Sequence, residues 1–164
     1  MQPAWSIRTP EVSEIGALAR LWHAGWQDAH AAVVPAELAR RRTLESFEDR
    51  LPAMLPDIRL AGDLGMPLGF CAIRHDELDQ LFVAPEGRGT GIAAALVADA
   101  ERRLAAHGMT TAWLACAIGN DRAARFYEKC GWRRAGTVVH HLDTIDGPFD
   151  LDVWRYEKTV TAAA

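Results

Sequence analysis

The sequence predicts an α+β fold built around a mostly antiparallel sheet. Three observations carry that prediction. Strand candidates form a three-strand meander between Ile58 and Val83, joined by tight turns. The Ala- and Leu-rich run from Ile92 to His107 reads as a helix. From end to end the order is strand, helices, meander, helix, strand, helix and two strands, with no internal repeat or linker.

Taken in order, Ser6-Ile7-Arg8 is a short strand, closed by Thr9-Pro10, where Thr9 can cap a helix with Pro10 at its first position. From Glu11, Val12, Ile15, Leu18, Ala19 and Trp22 recur at helical spacing, and Gly25 is expected to end that helix. Residues Trp26 to Val34 read as irregular or briefly helical. Pro35 restarts a helix through about Leu51, with Pro52 and Pro56 bracketing its exit. Ile58 to Ala61 is a strand, Gly62 to Gly65 a turn and Leu68 to Arg74 its hairpin partner. His75-Asp76 leads into a third strand, Glu77 to Val83, stopped by Pro85-Glu86-Gly87. Gly108 closes the long helix, Thr111 to Ala115 is a strand, and Asn120 caps a helix ending near Lys129 and Gly131. Thr137 to Val139 and Leu151 to Tyr156 are the last strand candidates.

The chain has 164 residues, fitting one domain over residues 1–164. Its net charge of −4 offers no basic field for phosphate backbones, so nucleic acid is not the expected partner. Arg40, Arg41 and Arg42 read as a solvated helix face. The three cysteines, Cys71, Cys116 and Cys130, are widely spaced and include no C-x-x-C pair, which fits a reducing compartment. The start, Met1 to Ser6, lacks the pattern of a secretory signal, and no apolar stretch approaches a membrane span, so the expected location is cytoplasmic.

The most informative segment is Arg88-Gly89-Thr90-Gly91-Ile92-Ala93, lying between a strand and a long helix. Glycines there let backbone approach a ligand at positive φ, and the first helical amides lack intrahelical partners. Such a turn suits a pyrophosphate, and Arg88 adds a charged donor. A P-loop is excluded because no Lys follows the glycines. A dinucleotide fingerprint fits Gly89, Gly91 and Ala94, yet Thr110 and Thr111 stand where its acidic residue belongs.

A third ligand, CoA, is favoured by resemblance. Arg88, Gly91 and Ala93 match the Gln/Arg-x-x-Gly-x-Gly/Ala motif of the GNAT acetyltransferases. The run Asn120 to Trp132, with Ala123, Phe126, Tyr127 and Gly131, resembles the family's second hallmark, N-x-x-A-x-x-F-Y-x-x-x-G-F, with Trp132 for the usual Phe. The likeness extends from Ile7 to about Tyr156, although only these two blocks are specific. It implies a three-layer α/β/α fold with a mixed, mostly antiparallel sheet of about seven strands. It implies acetyl-CoA as cosubstrate, with the pyrophosphate on Arg88, Gly89, Thr90, Gly91, Ile92 and Ala93. It further implies the pantetheine arm along Leu81, Phe82 and Val83, a bulge splaying that strand from its neighbour, and a contact from Asn120. Asn120 serves equally as a plain N-cap.

Acetyl transfer needs a neutral amine, a stabilised oxyanion and a proton for the leaving thiolate. The resemblance offers the Val83 amide for the oxyanion, Tyr127 as general acid and Glu77 as base, with Asp79 in reserve. Glu77 and Asp79 alternate onto one face of their strand and read equally well as solvated carboxylates. Trp22, His23, Trp26 and His30 are candidates for the acceptor side, Trp22 reading more readily as core. Adjacent His140 and His141 point to opposite strand faces, so no metal is expected. The acceptor is an amine of a small molecule or peptide, and the acidic net charge favours a cationic one. A homodimer is common in the family, though no interface is legible. The alternatives to the acetyltransferase are a nucleotide-binding oxidoreductase, among enzymes, and a non-catalytic CoA-binding sensor or partner-binding module.

Overall fold

The computed structural model describes residues 4–161; Met1 to Pro3, part of the start read against a signal sequence, lie outside them, as do the last three residues. The strands are β1 (Ile7–Arg8), β2 (Ile58–Asp63), β3 (Met66–Arg74), β4 (Glu77–Val83), β5 (Thr111–Ala117), β6 (Arg133–Leu142) and β7 (Phe149–Thr159). The α-helices are α1 (Ile15–His30), α2 (Ala36–Arg41), α3 (Leu44–Met54), α4 (Ile92–Ala106) and α5 (Asp121–Lys129). The strands form one sheet in the order β1-β2-β3-β4-β5-β7-β6. Every neighbouring pair is antiparallel except β4 and β5. The expected α+β architecture with a mixed, mostly antiparallel sheet is therefore present.

Each face of the sheet carries its own core, which makes three layers. On one face α1 and α3 press Leu18, Trp22, Phe47 and Leu51 onto Leu60 and Phe70. On the other, Ile92, Leu96, Ala100 and Leu104 of α4 pack over Cys71, Ile73, Leu114 and Tyr156. Trp22 and Phe47 are fully buried with ring centroids 4.5 Å apart. Burying each such ring is worth about 2–3 kcal/mol.

Several helix boundaries differ from expectation, beginning with Thr9-Pro10, which precedes rather than starts the first helical turn, Val12–Glu14. Helix α1 runs straight through Gly25 to His30, because that glycine permits close packing rather than a stop. A Cβ at Gly25 would fall 2.7 Å from the Phe82 ring on β4. The single helix expected from Pro35 is instead two, α2 and α3, and Pro52 lies inside α3 rather than at its exit. The chain breaks at Arg42, and the Thr43 side chain caps α3 by accepting from the Ser46 amide at 3.1 Å. Strands β6 and β7 are much longer than the short apolar centres that announce them. Strand β6 is an edge whose alternate residues face water, so charged positions interrupt its apolar signal. No helix of the described residues is long and apolar enough to cross a membrane.

One buried carboxylate ties the first elements together. Glu14, 1 % exposed, accepts two bonds from Arg8 at 2.9 and 2.7 Å, one from the Glu11 amide and one from the Gly65 amide. Strand β1, the start of α1 and the β2–β3 turn thus share one acceptor. The Arg8 hydrogen bond, ahead of the opposing effect of burial, holds the carboxyl at about 2. The ionised form is favoured on folding, so the stabilisation is complete above the ordinary value of 4.5 and fades as pH falls towards 2. Glu14→Gln should cost roughly 2 kcal/mol at neutral pH and much less near pH 3, read from urea midpoints at both values.

Candidate active site

Strands β4 and β5 meet at a single rung, Glu77 opposite Trp113, and part beyond it. The rung is stapled from β5: the Trp113 amide donates to the Asp76 carbonyl at 3.1 Å and its indole N–H to the Asp76 carboxylate at 2.9 Å. A bulge lies just past the staple. The pairing of β3 with β4 steps from Ala72–Gln80 to Ile73–Leu78, leaving Asp79 as the extra residue. Bulges bend and twist a strand, which carries β4 away from β5. The bulge also breaks the strict alternation expected to set Glu77 and Asp79 on one face, although both line the resulting cleft. That cleft has a volume of about 1060 Å³.

The open edge of β4 supplies polar backbone. The Ala84 amide donates to Leu68 on β3, so antiparallel alternation turns the amides of Val83 and Leu81 towards the side where β5 has departed. At the far end Gly89 and Gly91 hold φ of +74° and +87°, a left-handed conformation that β-carbons disfavour. Gly91 precedes α4, whose first amides, at Ile92, Ala93 and Ala94, have no partner within the helix. The turn is therefore a cluster of free N–H groups at the positive end of a helix dipole. Arg88 beside it pairs with Asp28 of α1 at 3.0 Å, and Arg122 of α5 reaches the same carboxylate at 3.3 Å.

Most residues named from sequence come together here. Leu81, Phe82, Val83, Arg88, Gly89, Gly91, Ile92, Ala93, Asn120, Tyr127 and Glu77 all line the cleft. Thr90 does not; its hydroxyl donates to the Gly87 carbonyl at 2.6 Å and braces the turn. Asn120 caps α5, accepting from the Ala123 amide at 3.4 Å. Tyr127 is half-buried among Phe126, Trp132 and Tyr156, and burial raises its hydroxyl well above the ordinary value. Trp22, Trp26 and His30 reach the cleft wall, whereas His23 does not.

Glu77 is 7 % exposed, and burial, reinforced by Asp79, pushes its carboxyl up to about 8. Burial also raises Asp79. His140 Nε2 lies 3.7 Å from the Glu77 carboxyl, while burial lowers the imidazole. Both partners shift towards their neutral forms, which disfavours an ion pair at this contact. His140, set aside above as a metal ligand, thus belongs to this proton-holding group. Sequence reasoning also missed Arg42 and Asp28. Of the arginine triplet, Arg40 is exposed and Arg41 pairs with Glu37, but Arg42 is only 4 % exposed and lines the cleft. Its place at a helix break, rather than mid-helix, turns it inward.

Comparison with known proteins specifies the class of this sheet, which opens beside a glycine turn at a helix start. Residues 20–132 match the profile of the acetyltransferase (GNAT) family. The chain is 34 % identical over 117 residues to an uncharacterized N-acetyltransferase of Mycobacterium tuberculosis, covering 68 % of this chain and 72 % of that protein. An uncharacterized N-acetyltransferase of Mycobacterium bovis matches to the same extent. Among solved structures, a GCN5-related N-acetyltransferase from Rhodopseudomonas palustris superposes with a TM-score of 0.72 at 20 % identity, over 98 % of this chain and 97 % of that one. The PaiA N-acetyltransferase of Thermoplasma acidophilum, in complex with coenzyme A, gives 0.69 at 21 % identity, over 95 % and 99 % of the two chains. This chain belongs to the GNAT acetyltransferase family and is an N-acetyltransferase.

The raised carboxyl of Glu77 has a stability consequence. Between the ordinary value of 4.5 and about 8 the folded chain holds a proton that the unfolded chain releases, so stability declines with pH across that interval. Glu77→Gln should gain on wild type as pH rises, by up to about 4 kcal/mol near pH 8 relative to the difference at pH 4.5, measured by urea denaturation.

Proposed function

We propose that the chain moves the acetyl group of acetyl-CoA to a primary amine of a small molecule or peptide, by direct attack within a ternary complex. The observation that carries this reading is the cleft itself, which joins an anion-seeking glycine turn, an open strand edge and a buried carboxyl in one cavity. In this reading the amides from Gly89 to Ala93, with Arg88, take the pyrophosphate. The exposed edge groups of Leu81 and Val83 pair with the pantetheine amides as an added strand would, Phe82 lies between them as a wall of the cleft, and Asn120 adds a side-chain contact.

Glu77, as the carboxylate, accepts the proton of the attacking amine, directly or through water. The nitrogen forms its bond to the thioester carbon while the Val83 amide faces the developing oxyanion. The carbon–sulfur bond then breaks, and Tyr127 donates its proton to the departing sulfur. Burial keeps the Tyr127 hydroxyl protonated throughout the working pH range, so its proton is in place when the sulfur departs. Because Glu77 must be ionised to act, turnover should climb with pH and level off above about 8.

Calorimetric titration with acetyl-CoA tests the first half of this reading. Wild type should bind at micromolar levels and Gly91→Asp should not, since a carboxylate at the helix start repels phosphate. Binding of NADH in place of acetyl-CoA would overturn the assignment. Tyr127→Phe should retain acetyl-CoA binding and lose roughly 10²-fold in the rate of CoA release with an amine acceptor. Binding without transfer to any amine would identify a CoA-binding module instead.

A further inference from the structure

We infer that the acceptor amine bears an anionic group, in the simplest case a carboxylate, which Arg50 and Arg42 receive while the amine points to Glu77. This rests on the acetyltransferase reading above and names its substrate class. The end of the cleft away from the glycine turn is lined by Arg42, Arg50 and Arg74. Arg42 spends one N–H on the Asp143 carbonyl at 2.8 Å, in the β6–β7 connection. Its remaining donors have no partner among the described residues. Arg50 lies with its guanidinium carbon 4.6 Å above the Trp22 ring and hydrogen-bonds to none of the described residues.

Neither guanidinium has a described carboxylate at ion-pairing distance, although the half-buried Arg41 and Arg103 each do. Burial, with Arg50 alongside, brings Arg42 down to about 10, and burial lowers Arg50 as well. Asp143 and Asp79 are the carboxylates whose charge both arginines feel, neither of them at ion-pairing distance, and the burial of Asp79 favours its protonated form. The indole N–H of Trp22, in the same corner, also finds no acceptor among the described residues. Arg42, Arg50 and Arg74 therefore outnumber Asp79 and Asp143 in this corner, with no direct ion pair among them, a costly arrangement without a further counter-ion. A planar anion with two oxygens is what stacked, forked guanidiniums recognise. The local field is opposite in sign to the chain's net charge of −4, so the cationic acceptor suggested by composition is not the one this corner suits.

The test uses the intact protein and matched acceptors: the L-amino acids against their carboxamides, phosphoethanolamine against ethanolamine, and spermidine. Transfer is followed by CoA thiol release, and binding to the protein–CoA complex by calorimetry. The anionic member of at least one pair should win by about tenfold or more in kcat/KM, and the phosphate pair separates a phosphate from a carboxylate. Arg50→Met should erase most of that preference through KM, and Arg50→Lys should keep part of it. Arg40→Met, the same charge change on an exposed residue, should keep all of it. Equal or better use of every uncharged partner, a preference for spermidine, or discrimination that survives Arg50→Met would each overturn the inference. If Arg50→Met does not fold, the wild-type pairs and Arg50→Lys still decide. If no amine is acetylated, the enzymatic reading falls separately. Calorimetry then decides this inference: tighter binding of anionic members supports it, and no difference overturns it.

Discussion

The molecule depends on the incomplete pairing of β4 with β5. Full pairing of the two strands would use up the inner edge of β4 and leave no wedge between them for a ligand. Here one rung at Glu77 and Trp113, clamped by both donors of Trp113 on Asp76, fixes the point of divergence. The extra residue at Asp79 sets its direction. That geometry opens the polar edge of β4 and sets it between the glycine turn at its far end and the carboxyl at the apex of the wedge. The layers on either side, including the close seat of Gly25 against Phe82, keep β4 from relaxing towards its neighbour.

Placing titratable groups at the narrow end of such a wedge has electrostatic effects. Glu77, Asp79 and His140 all lose water there, and all three move towards neutrality. Proton exchange near pH 8 is thus set by the packing of the fold more than by any one partner. The arginines on the same wall are held by different means: Arg42 by a carbonyl of the β6–β7 connection, Arg50 by an aromatic face. A chain that is acidic overall can in this way present a cationic corner at its site.

Sequence reading was strongest where local chemistry dictates backbone. The positive φ of Gly89 and Gly91 and the cap at Asn120 follow from short-range sterics and hydrogen bonding, and these are legible in a dozen residues. The meander was legible for the same reason. What could not be read depends on contacts distant in sequence. Gly25 reads as a helix terminator until Phe82, on another element, is seen to need its missing side chain. Arg42 reads as surface until the break before Thr43 turns it inward onto Asp143. Glu14 carries no sign of burial, because its four donors come from three separate segments. The bulge at Asp79 is a property of pairing register, which alternation alone cannot reveal.

The carboxylate of Asp28 stands between Arg88 and Arg122 at the mouth of the cleft, one helix contributing the acid and two other segments the bases. Any polyanion arriving at the glycine turn meets guanidiniums that already have a partner. Its capture is an exchange of one anion for another rather than the filling of a bare cationic pit. Such an exchange would release fewer counterions than an open pair of arginines, and would soften the dependence of binding at this mouth on ionic strength.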